Sequence, residues 1–183
     1  MIVSKTKTKA MIINFSKKYQ FSTRLQLKGQ PIEVVNSMKT LGCIINNKLS
    51  WNENCEMLIK KVNKRMQLLR KVWSFGSSKE DMVHLWVVYC QSILEQSCVV
   101  WNSSLSQQNS QDLERTQRTF CKLMLREKFK SYELALEELN LILLSERREI
   151  LCKNFANKGI INNTLSDLFP KKKRKHNMQL RKN

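Results

Sequence analysis

The sequence predicts an α+β chain, mostly helical, with a small antiparallel β portion at its start. Three observations predict it. Only four glycines and two prolines punctuate 183 residues, which favours long helices over a many-turned β fold. Apolar residues alternate within residues 9–45, then recur at three- and four-residue spacing after Ser50. Apolar residues make up 42% of the chain, enough to build a core.

The β portion comes first. KAMIINF is predicted as a strand that continues a comb of alternate lysines, Lys5, Lys7 and Lys9. RLQLKG alternates, with Leu25 and Leu27 on one face and Arg24, Gln26 and Lys28 on the other. Gly29-Gln30-Pro31 signals a turn, and PIEVV reads as the return strand of a hairpin. MKTLGCII reads as a further strand, in which Gly42 marks a bulge or a close backbone approach. Asn46-Asn47-Lys48 turns the chain.

From Ser50 the period is helical. Ser50 and Glu53 have capping-box spacing, and Leu58, Val62, Met66, Leu69 and Val72 form one stripe. Lys60, Lys61, Lys64, Arg65, Arg70 and Lys71 fill much of the remaining surface, and Gly76 ends the helix. Ser77 and Glu80 make a second capping box ahead of MVHLWVVYCQSILEQSCVVW. That segment is apolar nearly all round, which suits the centre of a bundle. NSSLSQQNSQ then reads as a polar connection to a helix around DLERTQRTFCKLMLRE, whose inner side is Leu113, Gln117, Phe120, Leu123 and Met124. YELALEEL predicts a short helix, and SERREILCKNFANKG a last one from Ser145 to Gly159. The chain divides into a β portion at 1–49, a helical bundle at 50–169 and a basic tail at 170–183.

Charge is the loudest global signal. The formal net charge is +18. Residues 1–32 carry seven Lys or Arg and no acid, and residues 170–183 another seven and no acid. Two basic ends around a nearly balanced body point to a polyanion, most simply nucleic acid. No stretch approaches the roughly 20 apolar residues of a membrane span, and the basic start lacks an apolar signal-peptide core.

Catalytic candidates are few. Cys43, Cys55, Cys90, Cys98, Cys121 and Cys152 form no CxxC pair, and His84 and His176 have no metal-ligand spacing, so neither a metal nor a cofactor is expected. Reduced thiols on apolar faces account for the cysteines. The aspartates are Asp81, Asp112 and Asp167. They are too widely spaced in sequence to suggest the converging carboxylates of two-metal phosphoryl chemistry. Asp81 and Asp112 instead suit helix starts, where carboxylates complement the macrodipole.

The order KTKAMIINF, MKTLGCIINNKLSW, LLRKVWSFG, LEQSCVVWNSSL, DLERTQRTFCKLML and ERREILCKNFA resembles the C-terminal part of reverse transcriptases of non-LTR retrotransposons, jockey type. The resemblance covers almost the whole chain. It implies that residues 7–15 correspond to the last palm strand region, where a lysine can lie near the incoming nucleotide's phosphates. It implies that MKTLGCII is a primer grip with Leu41 and Gly42 at its turn, and that the helices after Ser50 are the thumb and the segment beyond. The family's metal-binding aspartates fall upstream of the lysine comb. The expectation is therefore a truncated polymerase that grips nucleic acid without extending a primer. Lys5-Thr6 duplicates Lys7-Thr8, and His176, Met178 and Arg181 match a stretch that leads into more chain in the family; both ends thus read as cut.

The candidate nucleic-acid-binding residues are Lys5, Lys7, Lys9, Lys39, Leu41, Gly42, Lys60, Lys61, Lys64, Arg65 and Lys71. A thumb touches duplex backbone and needs exposed lysine and arginine, which the helix after Ser50 offers. Trp51 and Trp73 bracket that helix, and core packing explains them more simply than base stacking. PKKKRK, with Lys171, Lys172, Lys173, Arg174 and Lys175, looks like a signal for a nuclear import receptor, or else a dense basic tail. Two other readings stay open: a helical protein-interaction module, and a transposon remnant without function.

Overall fold

A computed structural model describes residues 8–16, 18, 24–27 and 29–161. The chain is α+β and mostly helical. Among the described residues its β portion is three separate two-stranded pairings. Strands β1 (Lys9–Ala10), β2 (Gln26–Leu27), β3 (Gln30–Pro31) and β4 (Glu33–Val34) are two residues each. β2 and β3 pair antiparallel around Gly29, so a hairpin forms, but its turn is tighter than the expected Gly29-Gln30-Pro31: Gln30 and Pro31 are already the return strand. PIEVV changes partner midway. The Ile32 amide donates to Leu25 O and the Val35 amide to Ala10 O, both at 2.8 Å, so β4 runs parallel to β1. The strand expected over KAMIINF stops at Ala10, because β4 ends at Val34 and leaves the next residues no ladder. Ile13 and Phe15 are accordingly exposed rather than buried.

MKTLGCII is not one strand. β5 (Ser37–Thr40) and β6 (Cys43–Asn46) form a hairpin with Leu41-Gly42 at its turn. Both turn residues have positive φ, +50° and +86°, the geometry whose twist fits a two-residue hairpin. A leucine in that first position is uncommon, so the sequence lacks the usual Asn-Gly signal.

Helix α1 (Asn52–Ser74) buries Leu58, Val62, Met66 and Leu69, with Val72 half-buried. Its start is built differently from the expected Ser50–Glu53 box. Trp51 occupies the N-cap and makes no side-chain cap bond. Asn46 is the hub instead: its Oδ1 accepts from the Ser50 amide at 2.9 Å, and its Nδ2 donates to Ser50 Oγ at 2.8 Å. The Asn54 side chain reaches back to the Ile44 amide at 3.0 Å, so β6 and α1 are one packed unit, and Cys43 joins the bundle's core. Gly76, with φ of +84°, follows the end of α1.

The second cap is shifted by one residue. Ser78, not Ser77, caps α2 (Lys79–Leu85), and its Oγ accepts from the Asp81 amide. Ser77 Oγ donates to Val72 O and closes α1. The long apolar segment is also not one helix. A π-helical stretch, Trp86–Gln91, leads into α3 (Ser92–Leu94), and Ser97, at φ of +56°, breaks the chain before α4 (Cys98–Trp101). Nor is it buried all round: Met82, Trp86, Cys90, Leu94 and Trp101 face the core, while Val88, Tyr89 and Val100 are exposed.

Most of the expected polar connection is helical: Asn102–Ser104 form a 3-10 turn and the part from Gln107 is α-helical. α5 (Gln107–Leu125) starts at a Ser106 cap and buries Leu113, Gln117, Phe120 and Met124, with Leu123 half-buried. α6 (Tyr132–Glu138) starts at a Ser131 cap, and α7 (Leu144–Ile161) runs two residues beyond the expected glycine. Trp86 stacks on Phe120 at the centre, ring centroids 4.6 Å apart. Arg148 is fully buried with its guanidinium 5.9 Å from the Trp101 ring centroid, its Nε donating to Asn102 Oδ1 and its Nη2 to Ser110 Oγ.

Candidate nucleic-acid interface

An amphipathic helix puts what it does not bury on the opposite side. At 100° per residue, Lys60, Lys64 and Lys71 of α1 fall in one line opposite the stripe of Leu58, Val62, Met66 and Leu69, and all three are exposed. The line spans about 16 Å at 1.5 Å per residue. Lys61 flanks it half-buried, and Arg70 is exposed on the other flank. The Lys60–Glu56 pair, 3.5 Å apart, is exposed on both sides and weakly held, so it yields readily to a phosphate.

Arg65 does different work. Its Nη1 donates to Tyr89 O at 2.6 Å, and its guanidinium lies 5.3 Å from the Tyr89 ring centroid. A π-helical turn disturbs the normal carbonyl ladder. Tyr89 O accepts from Arg65, and Val88 O accepts from Ser92 Oγ. Arg65 is therefore a tie between α1 and the π-helical stretch as well as an exposed cation.

The hairpin presents the other candidates. Lys39 is exposed on β5, and Leu41 is 94% exposed at the tip. Gly42 sits against the helical break: a Cβ there would meet Gln96 Nε2 at 2.3 Å. The close approach expected at this glycine is thus to the α3–α4 connection, and it holds the hairpin tip against the bundle. Lys9 is engaged, with its Nζ 3.0 Å from Glu33 on the paired strand. Lys5, Lys7 and the run from Lys171 to Lys175 lie outside the described residues.

The remaining chemistry is quiet. Burial pushes the thiols of Cys55 and Cys90 up to about 11 and that of Cys121 to about 12, so these are protonated at neutral pH and poor nucleophiles. All six cysteines are free thiols. Trp51 is buried in the core and Trp73 packs half-buried against it, as the packing reading expects. Asp81 closes the α2 cap, while Asp112, in the second turn of α5, pairs with Arg115 at 2.5 Å; Asp167 lies outside the described residues. Among the described residues no group of His, Cys, Asp and Glu converges to hold a metal ion, and no helix is long and apolar enough to cross a membrane. A cleft of about 410 Å³ between α2 and the end of α6 is lined by Lys79, Glu80, His84 and Glu138, with no Ser, Thr or Cys in its wall.

One basic side escaped the sequence reading. Arg115, Arg118 and Lys122 share the exposed side of α5, a pattern visible in sequence as basic residues three and four apart. No family model, no curated protein and no solved structure matches this chain.

Proposed function

We propose that the chain is a thumb-like module of a non-LTR retrotransposon reverse transcriptase that grips nucleic-acid backbone without base specificity and does not itself polymerise. The observation that carries the binding reading is the exposed line of Lys60, Lys64 and Lys71 on a helix whose other side is fixed in the core. Phosphate contacts of this kind position a duplex and read no bases. Lys39 and the Leu41 tip, held against the bundle at Gly42, are the parts proposed to meet a primer strand. Fluorescence anisotropy with labelled duplexes of unrelated sequence tests the reading. Affinities should be alike, and their log should fall with log salt at a slope near −4 to −5 for about 5 neutralised phosphates. Changing Lys60, Lys64 and Lys71 to Glu should weaken every duplex equally. A flat salt response, or preference for one sequence, defeats this reading, and metal-dependent extension of a primer defeats the non-catalytic part.

A second reading, a helical protein-interaction module, is favoured by Val99 and Val100 on α4 and Ile150 and Phe155 on the adjoining α7, all exposed. The basic tail is proposed to be a nuclear import signal, with Lys171 to Lys175 as its readable run.

A further inference from the structure

We infer that the exposed side of α5 is a second phosphate-binding face, centred on Arg115, Arg118 and Lys122; this rests on the backbone-binding reading proposed for α1. The three residues and Gln111 lie opposite the buried Leu113, Gln117, Phe120 and Met124. Each basic residue is three or four positions from the next, a spacing that places like charges side by side and weakens a helix. Asp112, three positions before Arg115, pairs with that arginine at 2.5 Å and offsets only part of the repulsion. The macrodipole rewards cations only in the last turn. That accounts for Lys122, and the Asp112 pair accounts for Arg115, but neither accounts for Arg118, which sits mid-helix.

The way these cations are held supports the same conclusion. Arg118 lies 4.9 Å from the Tyr132 ring centroid, and Lys122 Nζ lies 5.4 Å from that of Phe129. Tyr132 is buried and donates to Glu114 at 2.7 Å, so its ring is a fixed platform. A ring face orients a cation without neutralising it, unlike a carboxylate. The nearby acids are occupied. Glu114 also accepts from the Leu144 and Ser145 amides. Glu133 is held mainly by its own backbone amide and by Ser131, with a weaker attraction to Arg118, and these keep its carboxyl below the usual range. Arg115 shares Asp112 with Gln108. Arg118 and Lys122 are one turn apart, a rise of about 6 Å. That separation lets both cations meet phosphates of one strand lying along α5.

The test is salt-dependent anisotropy of the full chain on a short labelled duplex of arbitrary sequence. A variant with Arg115→Gln, Arg118→Gln and Lys122→Gln should bind more weakly, with its log–log slope shallower by about 2–3. Combined with Lys60→Glu, Lys64→Glu and Lys71→Glu, the losses should add. A second variant, Arg118→Lys with Lys122→Arg, keeps the charge and should keep the wild-type slope. If the α1 variant weakens binding while the α5 variant matches wild type, the α5 face is overturned and the α1 reading stands. If wild type binds no duplex, both fall. If the charge-keeping variant loses as much as the glutamine variant, the effect is structural and the inference is overturned. Tighter binding to phosphatidylserine vesicles than to the duplex overturns it as well.

Discussion

Gly42 carries two demands at once: a left-handed backbone and room for Gln96. The Gln96 amide is the end of a flexible side chain and can swing aside, so the backbone sets the cost of Gly42→Ala. An L-residue in that conformation costs about 1–2 kcal/mol. Urea unfolding of Gly42→Ala should show a loss of that size, and no loss would mean that the turn is not left-handed at that position. Leu41→Gly should move stability the other way, since Leu41 also has positive φ and is nearly fully exposed. Sequence showed that Gly42 was special but not why. The positive φ belongs to a turn whose leucine disguises it, and the close contact is with a residue far along the chain.

At the scale of elements, Glu114 is the joint between helices. One carboxylate on α5 receives the Tyr132 hydroxyl from α6 and two amides at the start of α7. Glu114→Ala strands all three donors and should cost about 2–3 kcal/mol. Glu114→Gln keeps a carbonyl acceptor and should cost clearly less. Equal and negligible losses for the two, read from urea midpoints, would show that water replaces the carboxylate. The helices themselves were legible because burial repeats with their period, as Leu58, Val62, Met66 and Leu69 do. Their joints were not. Ser50–Glu53 and Ser77–Glu80 have the right spacing, yet Asn46 and Ser78 supply the bonds. A capping box states what could bond, and the incoming chain decides which residue arrives.

At the scale of the whole molecule, the buried thiols set an alkaline limit. Cys43, Cys55, Cys90, Cys98 and Cys121 all have pKa values raised by burial. A raised folded pKa means that the folded state holds its proton longer than the unfolded state. Stability from this source is complete below pH 9, where unfolded thiols stay protonated, and is lost as pH rises from 9 towards 11–12. Thermal melts in reducing buffer should hold steady below pH 9 and fall above it. Cys121→Val should make the fall shallower, and an unchanged alkaline profile in that variant would remove the thiols as its cause. The basic tail has its own test. Fused to a reporter too large for diffusion, residues 170–183 should carry it into nuclei. The form with Lys171, Lys172, Lys173, Arg174 and Lys175 as alanine should leave it in the cytoplasm. Cytoplasmic retention of both would reduce the run to a basic tail.

The sequence by itself determined the class of fold, the buried stripe of α1, the inner side of α5 and the exposed lysines opposite the first of these. Each is a local consequence of period and charge, readable wherever neighbours on one face are three or four residues apart. Only the tertiary structure decided where KAMIINF stops pairing, that Arg65 ties α1 to the carbonyl of Tyr89, and that Arg118 and Lys122 rest on the rings of Tyr132 and Phe129. A strand needs a partner, a disturbed turn needs a donor and a cation needs a platform. In each case the partner comes from elsewhere in the chain, and only packing fixes which residue it is.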